Sequence, residues 1–270
     1  MSAAPPHPGI LEAALRKDRL VVTAGVLTLA GLAWAYIAHL ADGMSAHHGM
    51  AMPQATPWST GQAAGLVIMW IVMMVAMMLP SVAPVILLFA NVSRRRRLQG
   101  VLAASVTVFV LGYLLAWTAF AVLAALGQVL LHSAALLSPA MASASPLLGG
   151  GILLLAGVYQ WLPVKGACLS HCRSPLGFFA TEWREGVSGA LVMGFRHGSY
   201  CVGCCWALMA LLFVVGVMNL FWVVAIAGFV LAEKLVPNGR LLGRITGVVL
   251  AGWGLWVVVS GYGPHGFSPR

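Results

Sequence analysis

Residues 63–97 read AAGLVIMWIVMMVAMMLPSVAPVILLFANVSRRRR, and this stretch decides the fold class. Its apolar part extends over residues 63–90, and a helix needs about 20 apolar residues to cross a bilayer. The apolar residues form a continuous run instead of alternating with polar ones, which indicates a helix and not a barrel strand. Arginines follow at positions 94–97, and such a basic block marks the cytoplasmic side of a membrane. The stretch therefore predicts a transmembrane helix whose C-terminal end is cytoplasmic.

The composition extends this interpretation to the whole chain. Of the 270 residues, 61% are hydrophobic and 8% are charged, whereas a soluble domain has about 25% charged residues. We predict an all-α, polytopic transmembrane helical bundle in the inner (plasma) membrane, with the lipid bilayer as its surroundings. The net charge of +9 comes from short basic clusters at the ends of apolar runs. These clusters orient the protein, so a nucleic-acid partner is not expected.

The apolar runs predict about seven spans, with the N-terminus cytoplasmic and the C-terminus outside. Besides 63–90, the spans fall at about 20–40, 101–128, 147–162, 200–217, 220–232 and 245–261. They form a single transmembrane domain at 19–262, between a flexible tail at 1–18 and a C-terminal tail at 263–270. An external loop rich in His and Met covers 42–60, and a cytoplasmic segment containing cysteines covers 163–199. That segment is predicted to form an interfacial helix at 178–195. Glu233 and Lys234 are predicted to mark the membrane boundary, and the alternative for Glu233 is a role as a counter-charge or ligand at the cysteines.

All five cysteines fall in two groups. The first is Cys168 and Cys172, with His171 between them, and the second is Cys201, Cys204 and Cys205, preceded by His197. On the predicted topology both groups lie near the reducing cytoplasm, where structural disulfides are not expected. Cysteines are also common as small packing residues in membrane helices. Three thiols in five positions nevertheless favour chemistry.

Two thiolates from each group would make a tetrahedral metal site, in which His171 or His197 can replace one sulfur. Three nearby cations, Lys165, Arg173 and Arg196, are predicted to keep the thiols ionised. Sulfur-rich sites select Cu(I), and zinc is the alternative metal.

Methionines and histidines elsewhere favour copper. The external loop contains Met44, His47, His48, Met50 and Met52, which suit copper capture in either oxidation state. In the span at 63–90, Met69, Met73 and Met77 are spaced by four residues, as are Met74 and Met78, which predicts two adjacent thioether rows on one side of the helix. Ordinary packing by a flexible side chain is the alternative for each methionine.

Three stretches also carry a resemblance to a family of bacterial integral membrane proteins of unknown function that are predicted to bind metal and contain a CxGCCW motif. They are residues 69–84 (MWIVMMVAMMLPSVAP), 159–175 (YQWLPVKGACLSHCRSP) and 194–222 (GFRHGSYCVGCCWALMALLFVVGVMNLFW). The resemblance covers most of the chain from about position 60 to 260. It implies metal binding at the five cysteines without naming the metal or a reaction.

Together these patterns predict a membrane protein that binds a soft metal ion, preferentially copper, and moves or delivers it. The external loop would capture the ion, the methionine rows would pass it inward, and the cysteines would receive it. A metallochaperone or a metalloenzyme would be the partner, and no enzyme motif is evident. Two alternatives stay open at this stage: a membrane thiol–disulfide oxidoreductase, and a structural or assembly subunit with a bound metal.

Overall fold

The structure is a computed structural model that describes residues 8–46, 60–100, 105–138 and 142–261. Within these residues it is all-helical, and its only strand-like feature is an isolated bridge between Leu137 and Ser143. The helices are α1 (Pro8–Ala46), α2 (Thr60–Leu98), α3 (Val106–Ser133), α4 (Pro146–Tyr159), α5 (Pro163–Arg173), α6 (Pro175–Glu182), α7 (Gly186–Ala210), α8 (Leu212–Val215), α9 (Leu220–Leu235) and α10 (Gly239–Ser260). The predicted all-α class is confirmed.

Serine and proline residues define several helix starts. The Ser105 hydroxyl accepts a hydrogen bond from the Thr107 N–H at the start of α3, and the Ser145 hydroxyl accepts one from Leu148 N–H at the start of α4. Proline occupies the first position of α4, α5 and α6, where a helix does not need the missing N–H. The chain between α3 and α7 is therefore divided into short helices by its own sequence.

In the described part of the chain, five helical segments are long and apolar enough to cross a membrane: Arg19–Gly43, Thr60–Leu98, Val106–Ser133, Gly186–Val215 and Gly239–Ser260. A sixth arises if α4 and α5, which bend by 65° at their junction, form one broken span. The predicted count of seven is not supported, because α4 has 14 residues and α9 has 16. Neither helix alone provides the length of about 20 residues that a span requires.

Helix α3 packs along α7, and the two backbones approach each other closely at glycines. A Cβ atom on Gly198 would lie 2.9 Å from the Tyr113 carbonyl oxygen, and one on Gly112 would lie 2.9 Å from the Phe195 nitrogen. Small residues permit such close crossings in membrane helices. The crossing fixes the part of α7 that carries Cys201, Cys204 and Cys205 against α3.

The cysteine-containing segment differs from the prediction. The predicted interfacial helix at 178–195 is wrong, because α6 ends at Glu182 and α7 begins at Gly186. Helix α7 continues through Arg196 and His197, which sequence reasoning had placed outside the span. Arg196 forms an ion pair with Glu182, and the His197 ring packs among aromatic rings. Because these polar groups are accommodated by neighbouring helices, Cys201–Cys205 lie near the middle of α7 and not at its end.

Candidate metal centre

Five helices surround the cysteines. Helix α7 provides Cys201, Cys204 and Cys205, and α5 provides Cys168 and Cys172. We call these five residues the cysteine cluster. All five thiols are free, and the three on α7 are each 1% exposed. Helices α2, α3 and α9 contribute other side chains to this region, described below. The cluster is thus an interior feature of the bundle.

The sulfur atoms of the two groups come together. Cys172 Sγ lies 3.9 Å from Cys204 Sγ, although the two residues are 32 positions apart in the sequence. The Cys201 side chain interacts with those of Cys172, Cys204 and Cys205. Metal–sulfur bonds of about 2.3 Å allow two sulfurs on one ion to be at most about 4.6 Å apart. The Cys172–Cys204 pair already satisfies this limit.

The helical register of α7 explains how its thiols are held. The Cys204 and Cys205 thiols both donate to the carbonyl oxygen of Cys201, at 3.1 and 2.9 Å. Residues three and four apart share a helix face, so the backbone of Cys201 orients both sulfurs. Cys168 lies at the edge of the cluster, where it is partly exposed and next to Gly203. A Cβ on Gly203 would come within 2.8 Å of the Cys168 sulfur.

Lys234 supplies the positive charge beside the cluster. Its Nζ lies 2.9 Å from Cys201 Sγ and 2.9 Å from the Ser81 hydroxyl oxygen. The Tyr113 hydroxyl lies 3.2 Å from the same sulfur. Lys234 is only 8% exposed, so it does more than mark the membrane boundary, which was the role expected from the sequence. A buried ammonium group requires a compensating partner, and a Cys201 thiolate is the anion in hydrogen-bonding contact with it.

The three cations predicted to serve the thiols have other partners. Lys165 pairs with Glu233 at 2.5 Å and also donates to Gln160. Arg173 donates to the carbonyl oxygens of Glu233 and Pro237, and Arg196 pairs with Glu182. The cation in contact with a thiol of the cluster is therefore Lys234 and not one of these three residues. Glu233 is likewise buried, and it is the counter-charge of Lys165.

A methionine of α2 meets the cluster. Cys205 Sγ lies 3.9 Å from Met78 Sδ, which makes a second close pair of soft donor atoms. All five α2 methionines are buried, including the predicted ligands Met73 and Met77. The structure places Met73 and Met77 in the core of the bundle, whereas the thioether contact with a thiol is made by Met78. The row formed by Met74 and Met78 is therefore the one that ends at the cysteines.

The two predicted histidine ligands pack against aromatic rings. The His171 ring stacks on Tyr200 with centroids 4.2 Å apart, and its Nδ1 lies 2.9 Å from the Ala167 carbonyl oxygen. The buried His197 ring lies 5.1 Å from Phe178, and its Nδ1 has no hydrogen-bond partner among the described residues. Neither ring is in hydrogen-bonding contact with a cysteine sulfur in the described part of the chain.

The external copper-capture site lies outside what the structure describes. His47, His48, Met50 and Met52 fall between the described ranges 8–46 and 60–100. Met44 lies in α1, where the structure describes its backbone but not its side chain. These residues stay a sequence-based prediction.

The donor set fits a soft ion of low coordination number. Among the described residues, no three His, Cys, Asp or Glu side chains converge as a metal site with ligands already in place. The close pairs are instead thiol with thiol and thiol with thioether, which are the ligands that Cu(I) prefers. A tetrahedral zinc site with four side chains would require the thiols and their helices to move.

Sequence reasoning missed two residues of this region and misjudged a third. Tyr113 is a single tyrosine in an apolar run, and no sequence signal distinguishes it from a packing residue. Met78 was recognised as part of a row, but its side chain could not be assigned to the cluster before the register of α2 was known. Lys234 belongs to a charged pair that follows an apolar run, and this pattern fits a membrane boundary as well as a charge beside the thiols.

Fold and site together define a class of protein. It is an all-helical protein with long apolar helices compatible with a membrane, and it encloses a cluster of free thiols beside a thioether and an ammonium group. The sequence profile of the copper chaperone family PpoB2 matches residues 67–257, more than half of the chain. The chain belongs to this family, and the prediction of a metal-binding, copper-related protein is confirmed. Neither a curated protein nor a solved structure gives a significant match.

Proposed function

We propose that this chain is an inner-membrane copper chaperone that binds Cu(I) at the cysteine cluster and delivers it to a metallochaperone or a metalloenzyme. The observation that carries the proposal is the pair of soft donor contacts, Cys172–Cys204 and Cys205–Met78, each at 3.9 Å inside the bundle. The copper chaperone family supports the choice of metal. Copper is the cargo here, so the site has to release the ion as well as bind it.

The methionine row of α2 supplies a route for the ion. Met74 and Met78 are one turn apart, which corresponds to a rise of about 6 Å along the helix. Thioethers bind Cu(I) more weakly than thiolates, because they are neutral, and an ion passing along them would be held finally by the cysteines. Capture at Met44, His47, His48 and Met50 would precede this step. The row would thus form the last turn of the route before the cluster.

Replacing Met78 with Leu tests this route. The substitution conserves volume and hydrophobicity, so the fold is expected to persist with a cost below about 1.5 kcal/mol. We expect transfer of Cu(I) from an external chelator complex into the reconstituted protein to slow by about tenfold, because the ion loses the thioether that adjoins Cys205. Stopped-flow chelator absorbance measures the rate.

Met193→Leu is the matched control for Met78→Leu. Met193 is also buried, but its sulfur accepts a hydrogen bond from the Arg184 N–H and has no hydrogen-bonding contact with a thiol among the described residues. Its transfer rate is expected to equal that of the unsubstituted protein. Equal rates for both variants would contradict a route through Met78.

Lys234 favours copper over zinc. A Cu(I) ion held by the Cys201 thiolate and one further thiolate of the cluster would carry one net negative charge, which the Lys234 ammonium beside Cys201 neutralises. A Zn(II) ion on the same pair is neutral and leaves the buried ammonium uncompensated, which is costly in a medium of low polarity. Charge balance therefore provides selectivity for a monovalent ion.

The substitution Lys234→Met is expected to weaken Cu(I) binding by about tenfold or more, because it removes the compensating charge. Zn(II) binding should be unchanged or stronger, and this opposite response distinguishes charge selectivity from general damage to the site. Competition against chromophoric chelators measures both affinities. A parallel loss of both metals would refute the charge-balance argument.

The alternative function, thiol–disulfide exchange, is disfavoured by burial. Exchange requires a partner thiol to reach the attacked sulfur, and Cys201, Cys204 and Cys205 are enclosed by surrounding helices. A mixed disulfide trapped at Cys201 or Cys204 with a cytoplasmic thiol protein would establish this function in place of copper delivery. A structural or assembly role would instead give a metal that cannot be removed without unfolding.

A further inference from the structure

Two adjoining cavities are lined by residues of α4, α5, α9 and α10 and of the junction between α4 and α5. The first, of about 230 Å³, is polar and lies where α5, α9 and α10 meet; its polar lining is Gln160, Lys165, Ser170, Glu233, Arg240 and Arg244. The second is an open apolar groove of about 600 Å³ between α4 and α10. Trp161 and Leu162 line both cavities, so the polar pocket continues into the groove.

The polar pocket carries a net positive charge. Lys165 and Glu233 form a buried ion pair within it, and their charges cancel. Arg240 and Arg244 remain, both exposed and spaced one turn apart on the first turns of α10. The Arg244 guanidinium lies 5.9 Å from the centroid of the Trp161 ring. Two guanidinium groups at this spacing fit the oxygen atoms of one phosphate group.

The groove has the dimensions of an acyl chain in one leaflet. Its lining includes Leu154, Val158, Val248, Gly252 and Leu255, and most of these side chains are exposed on the surface of the bundle. From Arg244 to Leu255 the rise along α10 is about 16 Å, close to half of a hydrocarbon core of about 30 Å. Because α10 is one of the candidate spans, this surface would face lipid.

We propose that the pocket and the groove together bind one anionic phospholipid. Its phosphate headgroup lies on Arg240 and Arg244, and one acyl chain fills the groove between α4 and α10. Basic pockets between membrane helices on the cytoplasmic side are suited to anionic headgroups, and the adjacent apolar groove excludes a free phosphate as the preferred ligand. Among the described residues that line the pocket and the groove there is no cysteine.

The experiment measures lipid retention by native mass spectrometry of the purified full chain. Phosphatidylglycerol is the probe, and phosphatidylcholine is the neutral-headgroup comparison. Arg240→Gln/Arg244→Gln removes both charges and is expected to weaken phosphatidylglycerol binding by about tenfold or more. Gly252→Leu fills the groove, because a side chain there meets no other atom within 4 Å, and it is expected to weaken binding similarly without disturbing the packing.

Two control variants match these changes. Arg95→Gln/Arg97→Gln removes two exposed arginines from the end of α2, and Gly151→Leu adds a side chain at an exposed, uncrowded position of α4 outside the groove lining. Both should retain phosphatidylglycerol as the unsubstituted protein does. Equal retention by all variants would overturn the proposal, as would equal binding of phosphatidylcholine. Displacement of the lipid by millimolar inorganic phosphate would likewise overturn it, by assigning the pocket to free phosphate.

Discussion

Simultaneous replacement of Cys201, Cys204 and Cys205 with Ser should abolish copper binding in the purified protein. The three residues supply three of the five thiols of the cluster, and hydroxyl groups are poor ligands for Cu(I). A serine hydroxyl at 204 or 205 can still donate to the carbonyl oxygen of residue 201 as the thiol does. The substitution at 201 leaves the Lys234 ammonium without its thiolate, so the melting temperature should fall while the variant still folds. Elemental analysis after Cu(I) loading under reducing conditions measures the result, and a thermal melt in detergent confirms folding.

Cys168→Ser is the control for the triple substitution. Cys168 belongs to the same cluster, but it lies at the edge, partly exposed and beside Gly203. The variant keeps the close Cys172–Cys204 and Cys205–Met78 pairs and should retain most of its copper. Unchanged copper content in the triple variant would show that the cysteine cluster is not the copper site.

Replacing Glu233 with Gln should destabilise the fold strongly. The substitution leaves the Lys165 ammonium buried without its carboxylate partner, and breaking a buried ion pair in this way costs about 3–5 kcal/mol. For a chain of this size the melting temperature should fall by about 10 °C. The melt is followed by circular dichroism in detergent.

Two further variants separate charge burial from lost packing. Lys165→Met/Glu233→Gln removes both charges and should recover most of the lost stability, because no uncompensated ion remains. Glu185→Gln removes a carboxylate from the partly exposed ion pair with Arg96, and its effect should stay within about 1 kcal/mol. A Glu233→Gln variant as stable as Glu185→Gln would show that the Lys165–Glu233 pair does not hold α5 to α9.

These two experiments address different parts of the same interior. The ion pair joins α5 to α9, and these helices carry Cys172 and Lys234 into contact with the thiols of α7. Loss of the ion pair should therefore also reduce copper content, although it leaves every sulfur in place. The triple cysteine substitution, in contrast, should leave the Lys165–Glu233 ion pair in place.

Much of the fold could be predicted from the sequence. Continuous apolar runs of sufficient length define α2 and α3. Helix boundaries were less predictable where polar residues interrupt an apolar run. Arg196 and His197 were interpreted as the end of a span, yet α7 continues through both because Glu182 and Phe178 accommodate them from another helix.

The site was predictable in kind and only partly in detail. Cysteine is rare in this chain and concentrated in two groups, so its chemistry was visible in the sequence. The sequence could not predict which basic residue contacts the thiols, because four candidates lie close to a cysteine or to a helix end. They are Lys165, Arg173, Arg196 and Lys234. Three-dimensional pairing decides among them. Three have carboxylate or carbonyl partners, and Lys234 has Cys201 and Ser81.

By itself the sequence determined the all-helical architecture, a chain compatible with a membrane, and the concentration of soft ligands in two short segments. These properties depend on local composition and on the period of the helix, both of which can be read along the chain. Only the tertiary structure decided that Cys172 meets Cys204, that Met78 meets Cys205, and that Lys234 faces Cys201. Such contacts depend on the rotation and the crossing of helices far apart in sequence, which close packing of the whole bundle determines.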